Sequence, residues 1–66
     1  MQPHVQRMHA ERHDLEVKEQ ALTAFAHPLN TVFMTLPPEK QRLMHAQLHT
    51  MRAYIAILDQ RIALEG

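Results

Sequence analysis

The sequence has no cysteine, no tryptophan and a single glycine, so disulfide bonds cannot stabilise this short chain. A chain of 66 residues forms one domain at most, and such a domain buries only about 60% of the surface that its unfolded chain exposes. Small domains compensate with disulfides, a bound metal ion or a partner subunit. Because disulfides are excluded, a metal ion or association remains. The absence of cysteine also fits a reducing compartment, and we expect a cytoplasmic protein.

The sequence also lacks an excess of charge and a long apolar run. Lys and Arg together number 7, and Asp and Glu together number 7. The formal net charge at pH 7 is therefore zero when the 6 histidines are counted as neutral. Proteins that hold duplex nucleic acid by its phosphates carry a basic excess, so we expect no duplex partner. The longest apolar run, residues 53–58, is far shorter than the roughly 20 residues that span a bilayer. We therefore expect no membrane partner.

Four prolines divide the chain into its elements: Pro3, Pro28, Pro37 and Pro38. Proline is tolerated in the first turn of a helix and breaks helix interiors. The pattern predicts a helix over about residues 5–26, a linker over 27–36 and a second helix over about 38–64, all within one domain, 1–66. Strict apolar alternation, the mark of a half-buried strand, is absent. The predicted fold is all-α, with two long antiparallel amphipathic helices joined by a packed, proline-flanked linker.

The second helix carries an apolar seam with the 4, 3, 4, 3, 4 spacing of a coiled coil. We expect the seam residues to form an oligomer interface: Met44, Leu48, Met51, Ile55, Leu58 and Ile62. In the first helix Met8, Leu15 and Leu22 repeat every seven residues, although Arg12 and Glu19 occupy core-type positions. The apolar face of the second helix is wider than one helix–helix contact needs. We therefore predict a homo-oligomer.

No group of residues points to catalysis. There is no Ser–His–Asp framework, no cysteine nucleophile and no glycine-rich loop for phosphates, so we expect no catalytic residues and no enzyme activity. The pairs His9 and His13, and His45 and His49, are each four residues apart and could together offer four nitrogens to zinc. The simpler interpretation is solvated histidines at the edge of the seam. We expect neither a metal nor another cofactor.

Tyr54 and Arg61 are the candidate ligand-binding residues. They lie seven residues apart on one face of the second helix, where tyrosine offers a stacking plane and arginine a bidentate contact to phosphate. Alternatively, Tyr54 packs in the core and Arg61 borders an interface, paired with a carboxylate. In the first helix, Asp14 and Lys18 have the spacing of an ion pair between successive turns.

From about residue 8 to residue 63, the chain resembles a family of short helical phage-encoded proteins, best known from crAss-type phages. The resemblance is carried by Lys18, Leu22, Phe25, Phe33, Leu36, Leu43, Met44, Gln47, Met51, Tyr54, Leu58, Arg61 and Ile62. A weaker similarity, to the phage sponges that sequester cyclic-oligonucleotide signals of the CBASS defence system, rests on Leu36-Pro37-Pro38 followed by Leu43, Leu48, Tyr54 and Ile62-Ala63. That similarity implies a homo-oligomer with ligand pockets at subunit boundaries, acting in the host cytoplasm.

Three functional hypotheses stay open. The first is a counter-defence protein that sequesters a cyclic oligonucleotide in a helical oligomer, and the resemblance favours it. The second is a helical interaction module that binds and inhibits a host protein without a small ligand. The third is a helical assembly held together by a metal ion.

Overall fold

The computed structural model describes residues 3–65, which form three helices. Helix α1 spans Pro3–Phe25, α2 spans Thr31–Met34 and α3 spans Pro38–Glu65. No strand occurs among residues 3–65, and the two long helices pack along each other, which confirms the predicted helical class. The molecule measures 46 × 15 × 13 Å, and its long dimension is close to the roughly 42 Å of a 28-residue helix.

The ends of the helices follow from their local sequence. Pro3 and Pro38 stand at the first positions of α1 and α3, where a missing N–H costs no helical hydrogen bond, and Glu39 places a carboxylate at the positive end of the α3 dipole. Asn30 caps α2, because its side-chain oxygen accepts a hydrogen bond from the Phe33 N–H at 3.0 Å. Pro28 lies between α1 and α2, where it disfavours helical geometry at the preceding residue.

Phe33 anchors the connection between the long helices. Its side chain is 2% exposed and makes edge-to-face contacts with Phe25 of α1, at a centroid distance of 5.8 Å, and with His45 of α3, at 5.4 Å. The Gln41 amide donates to the Leu36 carbonyl at 2.8 Å, which ties the connection to the first turns of α3. The apolar connection is therefore packed through Phe33, whereas other apolar side chains in it are exposed: Leu29, Val32 and Met34.

The core lies along the seam between α1 and α3. Val5, Met8 and Leu58 form a buried cluster, with Leu15 and Ile62 packed against it. The six predicted interface residues all contribute to the face of α3 that is turned toward α1: Leu48 and Leu58 are buried within one chain, and Met44, Met51, Ile55 and Ile62 are half-buried. Their assignment to an interface between copies stays a prediction. No helix among residues 3–65 combines the length and apolarity of a membrane span.

Polar side chains connect the two helices beside this core. Arg12 of α1 pairs with Asp59 of α3, and the Arg52 guanidinium of α3 donates to the Glu19 carboxylate of α1 at 2.8 Å. At the end of the molecule, His4 Nε2 lies 2.7 Å from the Glu65 carboxylate. These contacts join the start of α1 to the end of α3, so the helices run antiparallel.

Candidate functional site

A groove of about 500 Å³ lies beside the α1–α3 seam, and this volume is within the usual range of small-molecule sites, about 300–1,000 Å³. Seven side chains line it, six from α1 and one from α3: Arg7, Ala10, Glu11, Asp14, Leu15, Lys18 and Tyr54. Ala10 and Leu15 contribute apolar atoms, and the other lining residues are four charged side chains and Tyr54.

The four charged groove residues share one face of α1 because they are spaced 4, 3 and 4 residues apart. Along the helix, the positive charge of Arg7 is followed by the negative charges of Glu11 and Asp14 and then by the positive charge of Lys18. The two cations stand about 16 Å apart along the axis at 1.5 Å per residue. The groove is thus neutral overall, with positive charge at each end and negative charge in the middle.

Tyr54 forms the opposite wall. Its side chain is 41% exposed, and its hydroxyl donates a hydrogen bond to the Glu11 carboxylate across the seam. That hydrogen bond raises the pKa of the Tyr54 hydroxyl above 10.0, burial and the Glu11 charge raise it further, and the Arg61 charge acts in the opposite direction. The hydroxyl therefore keeps its proton at neutral pH. The hydrogen bond holds the ring at the groove while leaving part of it open to a ligand.

The structure separates the two predicted ligand-binding residues. Tyr54 lines the groove, whereas Arg61 is exposed on α3 two helical turns farther on and is outside the lining. Arg61 is still close enough for its charge to act on the Tyr54 hydroxyl. It therefore stands near the groove as an additional cation.

The four charged residues of the groove are not among the site residues predicted from the sequence. Arg7 and Glu11 are not singled out there, Asp14 enters only through its predicted pairing with Lys18, and Lys18 only through that pairing and the resemblance. Among residues 3–65 that pair is not formed, since the ion pairs within 4 Å do not include it. The signal that could have revealed the site is the charged 4, 3, 4 stripe on the first helix.

The paired histidines do not converge. His9, His13, His45 and His49 are all exposed, and His45 places its ring against the edge of Phe33. Among residues 3–65, no three side chains of His, Asp or Glu come together as a metal site would require.

Comparison with known proteins yields one family. No curated protein and no solved structure gives a significant match. The family model described as Sequestin matches residues 2–64, which is nearly the whole chain and includes all of α1, all of α3 except Glu65, and every residue of the groove. The chain therefore belongs to the Sequestin family.

Proposed function

We propose that the protein sequesters a cyclic-oligonucleotide signal and thereby acts as a phage counter-defence protein in the host cytoplasm. The observation that carries the proposal is the groove itself, in which an open tyrosine ring stands between cations at both ends. The family name, Sequestin, is compatible with a sequestering role. The phage setting comes from the resemblance of the sequence.

The groove matches the chemistry of a nucleotide at three points. Tyr54 offers an aromatic face, and stacking on such a face is worth about 1–3 kcal/mol per base. Arg7 and Lys18 can each meet a phosphate, arginine through its planar fork and lysine as a compact charge. Arg61 adds a third cation beside Tyr54. A ligand with phosphates on both sides of a base suits this order of groups better than a single anion does.

Binding without turnover is part of the proposal. Within the groove lining there is no histidine, serine, threonine or cysteine, and the Tyr54 hydroxyl is held as a donor to Glu11. A lowered pKa is one common way to activate a nucleophile, whereas the pKa of the Tyr54 hydroxyl is raised. The ligand would therefore leave the protein chemically unchanged.

A second copy of the chain would complete the site. The outer face of α3 carries three apolar side chains, Leu43, Ile57 and Leu64, which are 53%, 55% and 88% exposed. This face is adjacent to Tyr54 on the same helix, so a copy docked there would also cover the groove. We propose that the homo-oligomer forms partly through this outer face and encloses the ligand.

An alternative function is a helical interaction module that binds a host protein. The observation favouring it is the apolar connection between α1 and α3, where Leu29 and Val32 are 84% and 61% exposed. Adjoining exposed apolar side chains are typical of a protein contact. In that case the connection between α1 and α3, and not the groove, would be the functional surface.

Calorimetric titration of folded protein with cyclic di- and trinucleotides tests the proposal. We expect saturable binding of at least one cyclic ligand, weakened about five- to a hundredfold by Tyr54→Ala and clearly weakened by Lys18→Ala. Lys40→Ala is the matched control, because it removes an exposed lysine of α3 outside the groove. Linear dinucleotides of the same bases show whether the cyclic form is required.

Absence of heat with every cyclic ligand, from protein shown to be folded and free of nucleotide, would contradict sequestration. Capture of a host protein that is lost in Leu29→Asp, with no nucleotide binding by the parent protein, would support the interaction module instead.

A further inference from the structure

Two carboxylates occupy the middle of the groove, where a phosphate would be repelled. Glu11 and Asp14 lie three residues apart on one face of α1, flanked by Arg7 and Lys18. A carboxylate only accepts hydrogen bonds. The middle of the groove is therefore favourable only for a ligand group that presents hydrogen-bond donors, with its phosphates toward the two ends.

Both carboxylates have acceptor capacity to spare. One oxygen of Glu11, Oε1, accepts the hydrogen bond from Tyr54, which turns the carboxylate toward the facing wall that carries the ring. An ionised carboxylate has about four lone-pair sites, so one bond leaves most of them open. Asp14 is exposed and takes part in no ion pair within 4 Å among residues 3–65.

The nucleobases differ in what they offer to a carboxylate. Guanine presents two adjacent donors, the N1 imino and N2 amino groups, which can both bind one carboxylate or be shared between two neighbouring carboxylates. Adenine and cytosine present one amino group beside a ring-nitrogen acceptor, and uracil presents one imino group between two carbonyl oxygens, which a carboxylate repels. Single-stranded bases are commonly recognised along this edge while they stack on an aromatic ring.

We propose that Glu11 and Asp14 make the groove selective for guanine, by accepting the N1 and N2 hydrogens of a base stacked on Tyr54. The inference rests on the proposed nucleotide-binding function and adds a base preference to it. Tyr54 has two roles, because its ring supports the base and its hydroxyl positions Glu11. The flanking cations bind the phosphates on either side of that guanine.

The test is a calorimetric comparison of cyclic di-GMP, cyclic di-AMP and cyclic di-UMP. We expect cyclic di-GMP to bind most tightly, by about five- to a hundredfold over cyclic di-UMP, the range typical of one well-formed bidentate base contact. Asp14→Asn and Glu11→Gln should reduce the affinity for cyclic di-GMP and leave that for cyclic di-UMP unchanged or higher. Glu39→Gln, which removes an exposed carboxylate outside the groove, should change neither.

The outcomes separate the two proposals. Equal affinity for the three ligands, insensitive to Glu11→Gln and Asp14→Asn, would overturn guanine selection and leave sequestration standing. An equal loss of all three ligands in Glu11→Gln, with the helical circular dichroism retained, would also overturn it, because Glu11 would then act only by placing Tyr54. No binding of any ligand to the parent protein would overturn the proposed function itself.

Discussion

The Tyr54 hydroxyl of α3 donates a hydrogen bond to the Glu11 carboxylate of α1, joining two residues that are 43 positions apart in the chain. This bond places an aromatic ring and a carboxylate on facing walls of one groove. It also couples the ionisation of the phenol to the packing of the two helices, which makes the contact measurable in solution.

Titration of the phenol tests this contact directly. The chain has a single tyrosine and no tryptophan, so ultraviolet absorbance follows Tyr54 alone. We expect its pKa above 10.0 in the folded protein, because the hydrogen bond to Glu11 favours the protonated hydroxyl. Glu11→Ala should lower it toward 10.0, whereas the control Asp14→Ala should leave it raised. The stabilisation from this hydrogen bond is present below the pKa that the Tyr54 hydroxyl has in the unfolded chain. It is lost as the pH rises through the pKa of the same hydroxyl in the folded protein. An unshifted parent pKa would contradict the contact.

The helix pair was predictable because its determinants are local. Prolines at helix starts and an apolar period along α3 identify the two long elements without knowledge of their contacts. Arg12 and Glu19 were harder to interpret, since they occupy core-type positions in α1. The structure explains both, because each reaches across the seam to a partner on α3, Asp59 and Arg52 respectively. Such pairing depends on how far one helix is shifted along the other. The spacing of residues within a single helix does not reveal that shift.

The groove could be predicted only in part, for a related reason. Tyr54 stood out as the only tyrosine beside an apolar seam. Which residues of α1 face it depends on the rotation of α1 about its own axis, so Arg7 and Glu11 could not be assigned from the sequence. The same rotation places Asp14 and Lys18 along the groove without bringing them together as an ion pair.

Substitutions at two nearby isoleucines of α3 can distinguish the effect on folding from the effect on self-association. Ile55 is half-buried on the seam, whereas Ile57 is 55% exposed on the outer face. We expect Ile55→Asp to lower the free energy of unfolding by several kcal/mol, because it places a charge against α1. Ile57→Asp should keep the helical circular dichroism and weaken self-association in sedimentation. A parent protein that sediments as a monomer, or an Ile57→Asp variant that associates unchanged, would contradict the proposed oligomer.

The buried leucine at the centre of the core provides a calibrated test of the helix pairing. Leu58 is fully buried in the cluster with Val5 and Met8. Leu58→Ala should lower the free energy of unfolding by about 2–5 kcal/mol, the usual range for a buried leucine. Gln60→Ala, at an exposed position of α3 outside the proposed interface, is the control. Equal losses in denaturant titrations of the two variants would show that α3 packs through another face.

Acid should weaken the contact between Glu19 and Arg52. The hydrogen bond from Arg52, with a second from Thr23, lowers the pKa of the half-buried Glu19 carboxyl below 4.5. The stabilisation is therefore present above pH 4.5 and is lost as the pH falls through the folded pKa. We expect the melting temperature of the parent to fall more between about pH 5 and pH 3 than that of Arg52→Gln. Arg42→Gln, at an exposed position of the same helix, should behave like the parent. An equal fall in melting temperature for the parent and Arg52→Gln would contradict a stabilising contact between Glu19 and Arg52.

Recovery of the ligand after unfolding tests sequestration most directly. A cyclic oligonucleotide that binds in calorimetry is mixed with excess folded protein and passed through a membrane that retains the protein. The protein is then denatured and filtered again, and both filtrates are analysed by mass spectrometry. We predict that the nucleotide is missing from the first filtrate and returns in the second with its cyclic mass, and that Tyr54→Ala leaves more of it in the first. Free nucleotide in the first filtrate of the parent, or a linear product in either filtrate, would contradict sequestration.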